Sequence, residues 1–510
     1  GRNGKMALKG RPFRVIYFFT PPRSPADTHE GHERALPLHS MERQVGGLTA
    51  KNLIELEAAM KFSRQETRDL YHHYINPGLA GMLGLLDFDK AYVRAEGMAV
   101  WDRDGKRYLD FLGGYGALNL GHNPPAVLAA VKEAMGRPNL LQASLNPLAA
   151  ALAHNLAMIT PGDLERVFFS NSGTETVEGA LKLARAATGR EKIIYCHNSF
   201  HGKSFGSLSV TGREKYQRPF RPLLPGCEAV PFDDLEALEA KLARQDAAAF
   251  IVEPIQGEGG VIVPHDGYLK GARELCDRYG SLLLFDEIQT GFGRTGYLFA
   301  CEHEGVVPDI MCLAKSLGGG VMPIGAYIAR AAVWDRAYGG MDKALLHTST
   351  FGGNSLAAAA GLAALQAILD QDLAGRAAAR GEYFLERLRQ LKEKYDLIKD
   401  VRGRGLIIGL EFNQPVGGLL DKLTRGKVNE LAGEYFGSLV AGELLNKHQI
   451  ITAYTLNNPN VIRLEPPLIV SEEEIDYLLK ALESVIRGHG FLGVTLSSTR
   501  TALGALLKRR

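Results

Sequence analysis

The chain has 510 residues, 45% of them hydrophobic and 23% charged, with a formal net charge of +2. That length allows two or three domains, the composition is that of a globular enzyme, and the near-neutral charge gives no basis for nucleic acid or an anionic membrane as partner. No apolar run is long enough to span a bilayer, and the five cysteines are scattered without ligand spacing, as expected of reduced thiols in a cytoplasmic protein.

Residues 1 to 25 hold six Lys or Arg and no acid, with prolines at 12, 21, 22 and 25. Residues 1–50 therefore read as a basic, disordered extension, although a transit peptide has a similar composition. Leu53, Leu56, Met60 and Phe62, interleaved with charges, predict a helix over 53–72. Alternating segments at 92–97, 99–102 and 107–111, around a turn at Gly105, predict short strands. From Asn123 onward helices and apolar strands alternate, the pattern of an α/β, doubly wound and mostly parallel sheet flanked by helices. Its strands are expected at 167–170, 192–195, 248–253, 282–285, 310–313 and 325–329. After about residue 366 the character changes to an Arg- and Glu-rich helix over 375–396, an apolar stretch over 405–411 and a helix from about 472. The expected organisation is a large domain over 121–365. A smaller α+β domain would be assembled from 51–120 and 366–490, followed by a tail over 491–510.

The residues able to do chemistry cluster at the ends of the apolar strands, where open α/β sheets bind ligands. Strand 167–169 runs into Ser170-Asn171-Ser172-Gly173-Thr174-Glu175 and then an amphipathic helix. A Gly-containing turn at a helix start offers unpaired N–H groups and the positive end of the dipole to a phosphate. A plain capping box would look the same. Ser349-Thr350-Phe351-Gly352-Gly353-Asn354, before an Ala-rich helix, is a second such turn. In Ser199-Phe200-His201-Gly202-Lys203, Phe200 offers a ring for stacking; a core Phe beside a solvated His201 is an equal reading. Glu253 and Glu258 place two carboxylates after another strand, suited to a site for amines or to a salt-bridged loop.

The most informative pair is Asp286, closing the apolar run Leu283-Leu284-Phe285, and Lys315, after Leu313-Ala314. A pyridine-type aldehyde cofactor needs both: a carboxylate that keeps the ring nitrogen protonated, and an amine, freed of its proton by burial, for the aldehyde. The pair points to pyridoxal 5′-phosphate (PLP).

Together and in this order, the segments from about 70 to 488 resemble the class III, ornithine- and putrescine-type, PLP-dependent aminotransferases of fold type I. The resemblance implies that Lys315 is the cofactor-binding lysine and Asp286 the partner of the pyridine nitrogen. It further implies that Gln289 contacts the ring hydroxyl, that Ser172, Gly173 and Thr174 cradle the phosphate, and that Phe200 and His201 line the ring. Thr350 would reach the phosphate from the partner subunit of a homodimer whose active site lies at the subunit interface. Arg463 would bind the α-carboxylate of glutamate or 2-oxoglutarate, with Glu258 neutralising it when a cationic or uncharged end enters. Lys203 stands where ornithine- and acetylornithine-type members carry a carboxylate-gripping Arg. Lys lacks the planar fork, so amino-acid donors are disfavoured at that contact. Segments such as Arg218-Pro219-Phe220 and Thr455-Leu456-Asn457-Asn458 are most similar to putrescine aminotransferases. The expectation is transfer of an amino group from a primary amine, putrescine or a related diamine, to 2-oxoglutarate. The alternatives are an ornithine- or acetylornithine-type transaminase and a PLP-dependent aminomutase.

Overall fold

The structure is a computed structural model, and it describes residues 53–141, 143–413 and 427–487. The extension expected over 1–50 and the tail expected over 491–510 lie outside the described residues. The contacts divide the chain into one unit ending at Lys61 and one beginning at Phe62. In the first, the described residues form the single-turn helix Leu56–Ala59, whose Leu56 is 78% exposed. The continuous helix expected over 53–72 is thus not formed. A separate helix, Arg64–Leu70, starts at a capping box: the Ser63 hydroxyl accepts from Glu66 N–H, and Ser63 N–H donates back to the Glu66 carboxylate. That local cap restarts the helix where the periodicity runs on uninterrupted.

The second unit contains three sheets. β1 (Tyr92–Glu96), β2 (Ala99–Asp102) and β3 (Arg107–Asp110) form an antiparallel ladder. The central sheet is built from β4 (Leu164–Ser170), β5 (Lys192–Cys196), β6 (Cys227–Val230), β7 (Ala247–Val252), β8 (Leu282–Asp286), β9 (Ile310–Leu313) and β10 (Gly325–Arg330). Its spatial order is β4-β10-β9-β8-β7-β5-β6. β11 (Ile398–Arg404), β12 (Ile407–Phe412), β14 (Ala453–Tyr454) and β15 (Val461–Leu464) form an antiparallel sheet, backed by helix Leu373–Lys394. The short β13 (Ile450–Ile451) pairs parallel with β3, so segments more than 300 residues apart share one sheet.

The expected strands of the central sheet form within a few residues of their predicted bounds, because each has an apolar core; β6, interrupted by Glu228, was not expected. Every residue of β7, β8 and β9 is buried, as strands covered on both faces must be. Alternate side chains serve different layers: Leu283 and Phe285 join one hydrophobic cluster, Leu282 and Leu284 the other. The first cluster takes in helix Ser355–Asp370, the second helix Gly173–Thr188. β10 is the exception to parallel order, antiparallel to both β4 and β9. The link from β9 contains only the 3₁₀ turn Lys315–Gly318, whereas a parallel return usually needs a crossover helix. Among the described residues no single helix is long and apolar enough to cross a membrane.

Candidate active site

β8 and β9 are adjacent and parallel, with Asp286 opposite Cys312. Both chains therefore leave the sheet on the same edge, and Asp286 and Lys315 line one cavity of about 620 Å³. Lys315 has φ +48°. A side-chain-bearing residue in the left-handed region costs about 1–3 kcal/mol, so it is held there by its surroundings. Burial pulls the Lys315 ammonium below its ordinary pKa, while Glu465 and Glu258 pull the other way. The net direction favours the free amine.

Asp286 is 4% exposed. One of its oxygens accepts from Ile288 N–H at 3.1 Å and the other from His201 Nδ1 at 2.7 Å. His201 is buried, which corrects the reading of a solvated imidazole. With Nδ1 committed to a carboxylate, the other ring nitrogen is Nε2. That buried atom has no partner among the described residues. Phe200 and Lys203 line the same cavity, with Lys203 Nζ 4.8 Å from the Tyr216 ring and 5.9 Å from the Phe200 ring.

The turn after β4 lines the same cavity. Ser172 caps helix Gly173–Thr188 by accepting from Glu175 N–H at 3.4 Å. The first-turn N–H groups of that helix, which lack intrahelical acceptors, lie at the cavity wall with Gly173 and Thr174. The Thr174 hydroxyl joins a cluster with Ser204 at 2.7 Å and Ser207 at 2.6 Å. Gly202, at φ +130°, fits against that cluster only because it has no Cβ, which would collide with the Thr174 hydroxyl.

Gln289 lines the cavity with its amide anchored behind it: Nε2 donates to the two Glu465 oxygens at 2.8 and 3.0 Å. Arg463, fully buried on β15, pairs with Glu258 and stacks over Tyr115 at 5.0 Å. Burial opposes the Glu258 charge, but the Arg463 guanidinium wins and holds that carboxyl below its usual value. Of the predicted residues, Glu258 and Arg463 are absent from this cavity's lining, and Thr350 is placed elsewhere. It lines a second cavity, of about 350 Å³, with Ser349 and Asn146.

Of two further acids at the site, Glu253 is read from the sequence only as one of two strand-end carboxylates, and Glu465 is not read at all. Glu253, at the end of β7, lines the cavity and accepts from Phe200 N–H at 2.9 Å and Gly257 N–H at 3.0 Å. Burial, opposed by His201 and reinforced by Asp286, pushes it up to about 7. Its position after a wholly apolar strand was the available signal. Glu465 had none, since its role rests on contact with Gln289, 176 positions away.

The donor set suits PLP: an amine of lowered basicity, a buried carboxylate braced by an imidazole, a helix start for an anion and an aromatic face, all on one cavity. The model of the class III aminotransferases matches residues 87–486. The chain belongs to this family.

Aminotransferase PigE from Serratia sp. is 44% identical over 456 residues, which cover 83% of this chain and 53% of that protein. The chain thus spans about half the length of this curated relative. The class III aminotransferase fold is equally evident in solved structures. Ornithine aminotransferase from Toxoplasma gondii, with PLP partly occupying its active site, is 36% identical with a TM-score of 0.70. That match covers 80% of this chain and 92% of the other. An amine transaminase from an uncultivated Pseudomonas species, in its PLP-bound form, is 33% identical with a TM-score of 0.69, covering 77% and 94%. The cofactor of this class III aminotransferase is PLP, and the residues described above are those available to hold it.

Proposed function

We propose that this chain is a transaminase that moves an amino group from a primary amine, putrescine or a related diamine, to 2-oxoglutarate, giving an amino-aldehyde and glutamate. The observation that carries the reading is Asp286 and Lys315 at adjacent strand ends on one cavity. PLP, when bound, supplies an aldehyde for the amine and an electron-poor ring that stabilises negative charge on the neighbouring carbon.

Asp286 holds a proton on the ring nitrogen, and His201 Nδ1–H fixes the carboxylate for that task. Lys315 Nζ, its ammonium disfavoured by burial, is first the nucleophile. Once free, Nζ would be the base placed to move a proton at the donor carbon. With PLP bound, Ser172, Gly173 and Thr174 would hold its phosphate, Phe200 would cover the ring, and the Gln289 amide would orient the ring hydroxyl. Arg463 receives the oxo-acid carboxylate when Glu258 withdraws. Lys203, packed on Tyr216, supports a donor lacking a carboxylate, because its ammonium does not reproduce a bidentate guanidinium grip.

The reading extends to a homodimer in which Thr350 serves the partner's phosphate. Its place on a separate cavity wall within one chain supports this. It also groups 51–120 with 366–490 as a smaller domain beside a large domain over 121–365; the β3–β13 pairing supports joining the two ends of the chain. A second reading, an ornithine- or acetylornithine-type donor, is favoured by the likeness to the Toxoplasma enzyme.

Turnover of putrescine, ornithine and N-acetylornithine with 2-oxoglutarate separates the donors, and putrescine is expected to have the highest kcat/KM. Lys315→Ala should lower turnover by at least ~10³-fold and abolish the absorbance of covalently held cofactor. Full turnover by that variant would sink the assignment.

A further inference from the structure

Gln289, which lines the cavity with Lys315, rests on an acid that the proposed mechanism does not use. Glu465 follows β15 directly and is completely buried. Its side chain is fixed by Gln289 Nε2, and its backbone N–H donates to Phe111 C=O at 2.8 Å. It lies 3.8 Å from Arg463 Nη1, on a guanidinium already paired with Glu258. Arg463 therefore has two carboxylates against it. They are held differently: Glu258 on Arg463 and the Leu456 N–H, Glu465 by main chain and side chain together.

Seen from Lys315, three carboxylates (Glu465, Glu258 and Asp286) oppose one guanidinium, Arg463. A protonated ring nitrogen would occupy Asp286. Two carboxylates then remain against Arg463. Arg294 also feels Glu465, but it shares Asp110 as a counter-charge and directs its N–H groups to oxygens of Asn119, Leu406 and Pro466. Buried charges are screened less than charges in water, so such an imbalance is felt by whatever enters the cavity. Even after Glu258 leaves Arg463, a carboxylate arriving there still meets Glu465.

We infer that Glu465 is a specificity-determining residue: a fixed carboxylate beside Arg463 and Lys315 that favours donors with a cationic far end and disfavours substrates bringing a carboxylate to Arg463. This rests on the transaminase reading and deepens it. It predicts a trade-off, in which the feature that selects diamines weakens the grip on the oxo-acid acceptor.

The test uses the PLP-loaded enzyme with 1,4-diaminobutane and butan-1-amine, which differ in the second cation, and 2-oxoglutarate as acceptor. In Glu465→Gln the diamine-to-monoamine ratio of kcat/KM should fall about tenfold, and the KM for 2-oxoglutarate should fall as well. The pH midpoint of the bound-cofactor absorbance, which needs no turnover, should move down on loss of the negative charge. Glu465→Asp keeps the charge but shortens the reach to Gln289, so it should retain the donor ratio. An unchanged ratio and absorbance midpoint in Glu465→Gln would overturn the inference. An equal loss of ratio in Glu465→Asp would also do so, leaving Glu465 as a tether for Gln289. If the wild-type enzyme turns over neither amine with any oxo acid, the diamine-donor reading falls and the donor-selection role with it. In that case the absorbance midpoint still reports separately whether the charge reaches the cofactor.

Discussion

Single side chains in this site are set by what surrounds them. Asp286 is held on both oxygens, and the His201 contact is the one that a cofactor-facing carboxylate needs to stay oriented. His201→Asn should lower kcat/KM by about 10–100-fold and shift the bound-cofactor absorbance, while the circular dichroism of the fold is retained. Glu253 offers a different test. Its folded pKa of about 7 lies above the ordinary 4.5, because burial penalises the charged form. Between those values the folded protein keeps a proton that the unfolded chain has released. Stability therefore falls as pH rises through that window. Glu253→Gln removes the proton difference, so its Tm should decline less than wild type across the window in a melting series against pH.

At the scale of elements, the site depends on where strands stop and how closely turns approach. β7 and β8 present their acids at the sheet edge because their apolar residues are consumed by the layers on both faces. The turn after β5 must pass helix Gly173–Thr188 closely, and Gly202 allows it. Gly202→Ala combines a left-handed backbone with a collision at Thr174. It should cost about 1–3 kcal/mol in denaturant unfolding and weaken cofactor affinity more than donor affinity. Six of the seven central strands were readable from their apolar runs, and β6, which carries Glu228, was not. The β10 direction was not, because pairing direction depends on the connection rather than on the strand's own residues. The helix expected over 53–72 failed for the converse reason: a local cap at Ser63 outweighed a long-range period.

At the scale of the molecule, the site draws on residues from Tyr115 to Glu465, and the proposed dimer adds Thr350. Mixing Lys315→Ala and Thr350→Val subunits tests that addition. If Thr350 acts across the interface, hybrid dimers contain one site free of both substitutions. Turnover at limiting PLP should then recover on mixing. No recovery, or a monomer in light scattering, would place Thr350 in its own subunit's chemistry.

The sequence by itself determined the chemistry. Asp286 and Lys315 end apolar strands, and strands of that composition have only one stable place, buried in a two-sided sheet whose edge then carries the polar residues. The tertiary structure decided the electrostatics. The His201 brace on Asp286, the raised pKa of Glu253 and the Gln289–Glu465–Arg463 contacts join residues far apart in the chain. Charge effects of that kind depend on distance and on exclusion of water, and only the folded chain fixes either.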